Sequence, residues 1–168
     1  VEEICALPFQ GFAIGGVSVG EGKELQRETV AGTLPLLPAS MPRYLMGVGT
    51  PADILFAIAR GVDLFDCVLP TRNARNGMMF TSAGSVSIKQ ARYADDALPP
   101  DERCDCPTCR GFSRAYLRHL YLQREMLGSM AMTVHNLHFY AGLMRRAREA
   151  ISRGIFGKLV KESGVSGN

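Results

Sequence analysis

GVDLFDCVLPTRNARNG, residues 61–77, is the stretch around which the chain is read. Val62, Leu64 and Phe65 form a short apolar run of strand type, closed by Asp66. Pro70 is expected to end the regular structure, leaving Thr71 to Gly77 as a polar loop that carries Arg72 and Arg75. An acid at the C-terminal end of a buried strand, followed by a basic loop, is where α/β enzymes place their chemistry. A loop-capping Asp beside two solvated arginines fits the same residues.

Upstream the same pattern occurs twice. Phe12-Ala-Ile-Gly-Gly-Val17 reads as a buried strand ending in glycines that allow close approach to the backbone. A helix follows from Glu21 to about Gly32, with Leu25 and Val30 on one side. After Pro35, Pro38 and Pro42 comes a second strand, Arg43-Tyr-Leu-Met-Gly-Val48. Thr50-Pro51 is a helix start, with Thr50 as N-cap and Pro51 at the first helical position. Ile54, Leu55, Ile58 and Ala59 carry the helical period to Gly61, which is placed to end the helix. Strand, helix, strand, helix, strand at about 25 to 30 residues per unit indicates parallel βα units. An open three-stranded sheet and a fragment of an eight-stranded barrel both satisfy that pattern.

Downstream the period changes. Residues 78–82 and 85–89 alternate around Ala83-Gly84, which predicts a hairpin. Residues 95–103 are acidic and proline-bearing, hence loop. Phe112, Tyr116, Leu117, Leu120, Tyr121 and Leu127 fit one helix that stops near Gly128. A second helix is expected from about Thr133 to Arg153, with Val134, Leu137, Ala141, Met144 and Ile151 as its apolar stripe. The tail after Gly154 is expected to fray. Arg110, Arg114 and Arg118 fall at i, i+4 and i+8, a stripe that suits phosphate binding and equally a solvated face.

Cys104-Asp-Cys106-Pro-Thr-Cys109 supplies three thiols within six positions. Zinc needs a fourth ligand. His119 lies about ten residues along a helix from Cys109, which at 1.5 Å per residue is roughly 15 Å and out of reach. His135 and His138 stand where an antiparallel helix returns to the loop, and His135, nearer the helix start, is the expected ligand. A closed three-cysteine, one-histidine set is structural rather than catalytic, one zinc per chain. A redox-active thiol cluster is the competing reading, and no other redox motif accompanies it. Cys67, beside Asp66, reads as a small buried hydrophobe.

Composition sets the bounds. The 168 residues are 46% hydrophobic and 21% charged, which describes a globular chain of about one domain. A net charge of +3 does not by itself indicate nucleic acid. No apolar run approaches the roughly 18 residues of a membrane helix, and no secretory signal pattern opens the chain. An odd count of five cysteines argues for metal in a reducing compartment, the cytoplasm, over disulfides. Val1 opens the chain in mid-pattern, the expectation being a processed protein or a piece of a longer one.

Several of these stretches together resemble the tRNA-guanine transglycosylase family. They are Gly15-Gly-Val-Ser-Val-Gly-Glu21, Tyr44-Leu-Met-Gly-Val-Gly-Thr-Pro-Ala-Asp53, Asp63 through Gly77, the three cysteines with His135, and Ser113-Arg-Ala-Tyr116. The resemblance runs to about Phe156. It implies an α/β fold, the C-terminal part of a (β/α)8 TIM barrel with an inserted zinc-binding subdomain. Residues 1–76 would be the last three βα units, 77–132 the zinc subdomain, 133–156 the closing barrel helix and 157–168 a tail.

The implied reaction exchanges guanine at the tRNA wobble position for a 7-deazaguanine. Asp66 matches the family nucleophile, which forms a covalent bond to the ribose. Gly16 and Val17 match the backbone that contacts the base, Met46 the side chain packed against it, and Glu21 a residue that adjusts a neighbouring peptide. Thr71, Arg72, Asn73, Ala74 and Arg75 match the segment reading the flanking nucleotides. Gly47, Val48, Gly49, Thr50, Pro51, Ala52 and Asp53 match a second RNA-contacting loop. Val19 resembles the bacterial pattern that favours preQ1 over queuine. Bacterial members are homodimers, for which Phe112, Tyr116 and His119 are candidate interface residues. The family's general acid/base and base-recognising residues would lie upstream of Val1, so the 168 residues alone are expected not to catalyse exchange. A stand-alone zinc module that binds RNA without chemistry is the alternative, and Asp66 separates the two.

Overall fold

The computed structural model describes residues 1–17, 20 and 22–163. The chain divides into two compact units, Val1–Val68 with Ala147–Asn168, and Leu69–Arg146.

In the first unit a short helix α1 (Glu2–Cys5) precedes β1 (Phe12–Ile14), α2 (Lys23–Thr33) with a 3-10 turn (Leu34–Leu36), β2 (Arg43–Leu45), α3 (Pro51–Ile58) and β3 (Leu64–Phe65). The strands form one parallel sheet in the order β1-β2-β3. Tyr44 stands beside Ala13 on one side and Leu64 on the other. Sequential order means each new unit is added at the same edge, unlike the doubled-back order of a doubly wound sheet. The core consists of Phe12, Ile14, Val17, Val30, Leu34, Leu37, Leu45, Val48, Ala57 and Val62. Their burial holds the short strands together, since two or three ladder bonds alone would not. Thr50 caps α3 as expected, its Oγ1 accepting from the Asp53 N–H at 3.2 Å, with Pro51 in the first turn. Leu25, by contrast, is exposed, and α2 buries Val30 alone.

In the second unit α4 (Leu69–Arg75) leads into the antiparallel hairpin β4 (Met78–Thr81) and β5 (Gly84–Ser87). The loop expected at Thr71 to Gly77 is therefore helical through Arg75. The reason is positional: Pro70 sits in the first turn, where the missing N–H has no intrahelical partner to lose. Then follow a 3-10 turn (Ala91–Tyr93), α5 (Pro107–Gly111), α6 (Arg114–Leu122) and the long α7 (Met126–Ser152), whose last turns belong to the first unit. A core of Ala74, Met79, Ile88, Tyr93, Leu117, Leu120, Ala131 and Met132 joins them.

Three further sequence expectations fail in this unit. Phe112 and Ser113 are extended, so Arg110 belongs to α5 while Arg114 and Arg118 belong to α6, and no single arginine stripe exists. Gly128 does not end a helix: it lies inside α7, where an added Cβ would stand 3.0 Å from the Leu120 Cβ, so glycine permits close passage of α6. The break falls instead at Arg124. On α7 the buried face is Ala131, Met132, His135, Asn136 and Leu143, while Val134 and Leu137 of the expected stripe are exposed. The buried face thus combines two polar residues with buried partners and a different apolar row from the expected one. In the first unit, residues 156–162 of the expected tail form a helix, α8 (Phe156–Glu162).

Candidate active site and metal centre

Asp66 follows β3 directly and is exposed. Its Oδ1 accepts two hydrogen bonds, from the Tyr44 hydroxyl at 2.7 Å and from the Gly47 N–H at 2.8 Å. Gly47 has φ +71, which presents its N–H to the carboxylate and favours glycine there. The Gly47 N–H and the Tyr44 hydroxyl hold the Asp66 carboxyl below its usual range. The same bond to Asp66 pushes the Tyr44 hydroxyl up. The site therefore presents an ionised carboxylate with one oxygen fixed by two donors.

Sequence reasoning missed Tyr44 as a site residue. The structure brings it there: Tyr44 is in register with Leu64, and Asp66 lies two residues further along, just past the end of β3.

Around Asp66 the remaining expected residues of this unit divide. Met46 is exposed, and a Cβ on Gly15 would meet its Sδ at 3.2 Å, so Met46 lies over Gly15. Gly16 has φ +76 with open space beside it, so its backbone is approachable. The Val17 side chain is in the core and its carbonyl accepts from Gln26 Nε2 at 2.6 Å. Glu21, with Val19, lies outside the described residues. Gly49 is packed on Cys67, whose Sγ would lie 1.9 Å from an added Cβ. Asp53 is buried and engaged within the chain, with Lys23 Nζ at 3.0 Å, an Arg27 guanidinium nitrogen at 3.3 Å and the Thr50 hydroxyl. Burial pushes its carboxyl up, but the Thr50, Lys23 and Arg27 donors outweigh that and hold it low. Val48 is also buried.

In the second unit Ala74 is fully buried, and Arg72 and Arg75 are exposed. Of the other arginines, Arg114 pairs with Asp96 at 3.1 Å and Arg118 donates to the Gln90 carbonyl at 3.2 Å. Both serve the fold of this unit.

The metal centre is where the sequence placed it. The ligand atoms of Cys104, Cys106, Cys109 and His135 all lie within 4.8 Å of one another. The three sulfurs stand 3.8, 3.5 and 3.3 Å from His135 Nδ1. Tetrahedral zinc with bonds near 2.3 Å to sulfur and 2.0 Å to nitrogen sets that separation at roughly 3.5 Å, so the donor set fits. His135 is fully buried and its Nε2 donates to the Phe80 carbonyl at 2.8 Å, which leaves the Nδ1 lone pair for the metal. Burial pushes the Cys104 and Cys109 thiols up and holds His135 low and neutral. A divalent cation offsets that penalty by keeping the sulfurs as thiolates. His138 instead faces Asp105 at 3.1 Å. With four protein ligands the set is closed, as in a structural zinc site.

Asn136, next to His135, was also missed. It is fully buried, donates to the Pro70 and Met78 carbonyls at 2.9 and 3.0 Å, and accepts from the Phe80 N–H at 3.0 Å. It thereby ties both ends of the α4 segment to α7.

The family model described as queuine tRNA-ribosyltransferase matches residues 1–164. A queuine tRNA-ribosyltransferase of Nitrosomonas europaea is 55% identical over 159 residues, 95% of this chain and 43% of its own length. One of Syntrophobacter fumaroxidans is 54% identical over 93% of this chain and 42% of its own. One of Sorangium cellulosum is 58% identical over 91% and 39%. The chain spans less than half the length of these curated relatives.

Proposed function

The chain belongs to the queuine tRNA-ribosyltransferase family, and from that premise we propose that it carries the nucleophile half of a tRNA-guanine transglycosylase. In this reading residues 1–76 are the last three βα units of a (β/α)8 barrel, 77–132 a zinc subdomain and 133–156 the closing helix. The sequential parallel order of β1, β2 and β3 supports it. So does the position of Asp66 at the C-terminal end of β3, the end where barrels place catalysis.

The observation that carries the reading is the fixed Asp66 carboxylate. Its Oδ1 is held by Tyr44 and Gly47, and the group stays ionised at neutral pH. A carboxylate oxygen attacks the ribose C1′ of the wobble nucleotide and the bond to guanine breaks. An incoming 7-deazaguanine, preQ1, then displaces the carboxylate, so two inversions give net retention. Gly16, the Val17 backbone and Met46 line the base site. Arg72 and Arg75, on the segment Thr71, Asn73 and Ala74 complete, read the nucleotides flanking the flipped base. Gly47 through Asp53 form the second RNA-facing segment, with the buried Asp53 and Val48 setting its shape. Zinc, when bound, supplies structure. Phe112, Tyr116 and His119, whose rings stack at 5.8 and 6.4 Å with Tyr116 exposed, suit a homodimer interface. The tRNA substrate sets the compartment as the cytoplasm, and among the described residues no helix is long and apolar enough to cross a membrane.

Asp66→Asn in the full-length protein tests this. The covalent adduct with tRNA disappears while tRNA affinity stays within about threefold. Equal collapse of affinity would make Asp66 structural and refute the nucleophile role.

A further inference from the structure

On the second unit a cavity of about 400 Å³ is lined by Arg75, Tyr121, Leu122, Arg124, Glu125 and Ser129. Arg75 comes from the last turn of α4, and Arg124 from the turn between α6 and α7. Arg124 has φ +59, and it is the one non-glycine with positive φ among the described residues. The turn is closed by its N–H to the Tyr121 carbonyl at 3.1 Å and by the Glu125 N–H to the Leu120 carbonyl at 2.9 Å. Glycine is the ordinary residue at such a helix end, so arginine there carries backbone strain that its side chain does not relieve locally. Neither the Arg75 nor the Arg124 guanidinium has an ion-pair or hydrogen-bond partner among the described residues. The Tyr121 ring that forms one wall also has Lys89 Nζ 5.3 Å from its centre. One carboxylate, Glu125, lines the cavity with the two arginines, and Ser129 adds a hydroxyl.

Two unpaired guanidiniums converging on one cavity fit an oxyanion with several acceptor oxygens, the arrangement that phosphate recognition uses. Arg75 already belongs to the segment that meets RNA in the function proposed above, and this inference rests on that reading. We propose that the cavity holds a backbone phosphate of the bound tRNA, next to the nucleotides that Arg72 and Arg75 meet, and that Arg124 is a phosphate-binding residue. The turn conformation at Arg124 places its side chain on the same cavity as Arg75.

The test uses the full-length, zinc-loaded protein and a tRNA with guanine at the wobble position. Dissociation constants are measured from about 50 to 200 mM salt for wild type, Arg124→Gly and Arg124→Lys. Glycine suits the positive φ, so Arg124→Gly keeps the fold, checked by its zinc content. We expect Arg124→Gly to bind about tenfold more weakly at low salt, with a log–log salt slope smaller by about one. Arg124→Lys keeps the wild-type slope. A wild-type slope in Arg124→Gly, or a slope in Arg124→Lys as low as that of Arg124→Gly, overturns the proposal. The covalent tRNA adduct of the wild type is measured in parallel. An adduct with an unchanged Arg124→Gly slope sinks the Arg124 site alone, whereas a wild type that neither binds tRNA nor forms the adduct sinks the transglycosylase reading and this inference with it.

Discussion

At Asp66 two donors converge on one carboxylate oxygen, and the consequence is a specific dependence on pH. The Gly47 N–H and the Tyr44 hydroxyl depress its pKa, so the ionised carboxylate persists as the medium becomes acid. Tyr44→Phe removes one donor. The folded pKa of Asp66 then rises, the carboxylate is protonated at higher pH, and the acid limb of adduct formation moves upward in pH. The rate at neutral pH falls roughly tenfold, because the carboxylate loses one of the two donors that orient it. A pH profile of adduct formation checks this, and an acid limb identical to wild type would exclude Tyr44 as a positioning residue. Legibility at this scale was uneven. The acid, the three cysteines and His135 could be read from spacing, because each carries a chemistry that few positions tolerate. Tyr44 and Asn136 could not, since a tyrosine on a strand and an asparagine on a helix have many ordinary uses, and their partners lie 22 and up to 66 residues away.

The elements around the site depend on glycines that accept close neighbours. Gly49 sits just before the Thr50 N-cap of α3, and the Cys67 side chain, one residue past Asp66, occupies the space a Cβ would need. Gly49→Ala therefore forces apart the two segments that follow β2 and β3. A loss of about 2 kcal/mol or more in stability is expected from overpacking of this kind, read by denaturant unfolding. Loss of adduct formation should accompany it, since Gly47 and Asp66 flank the contact. Pairing Gly49→Ala with Cys67→Gly should recover most of the stability, and no recovery would show that another neighbour sets the constraint. Helix α7 makes a related point. Its buried face joins His135 and Asn136, bonded to Phe80, Pro70 and Met78, with Met132, Leu143 and Ala147, while Val134 and Leu137 of the expected stripe stay exposed.

For the whole molecule, the zinc site governs whether the second unit holds its shape. It ties the loop of Cys104 and Cys106 and helix α5 to α7, and through His135 Nε2 to β4. Elemental analysis of full-length protein purified without chelator should give one zinc per chain, and His135→Ala should give none. Chelation lowers the unfolding temperature, by the binding free energy that folding shares with the metal. The pH direction follows from the thiols: burial raises Cys104 and Cys109, so protons compete with zinc and the metal is released as pH falls. Protein that retains its unfolding temperature after complete zinc removal would contradict a structural role.

The sequence alone determined the strand–helix alternation, the Thr50 cap, the metal ligands and the acid at the end of β3, because each depends on local period or on residue chemistry that spacing displays. Tertiary structure decided the rest. It turned the segment after Pro70 into α4, since proline is compatible with a first helical turn and Ala74 had a core to enter. It divided the arginines into those engaged by the fold, such as Arg114 with Asp96, and those left facing a cavity, Arg75 and Arg124. It also withdrew Asp53 into a cluster with Lys23 and Arg27. The reason is the same in each case: a charged side chain's role depends on which partner reaches it, and that partner is set by packing between segments far apart in sequence.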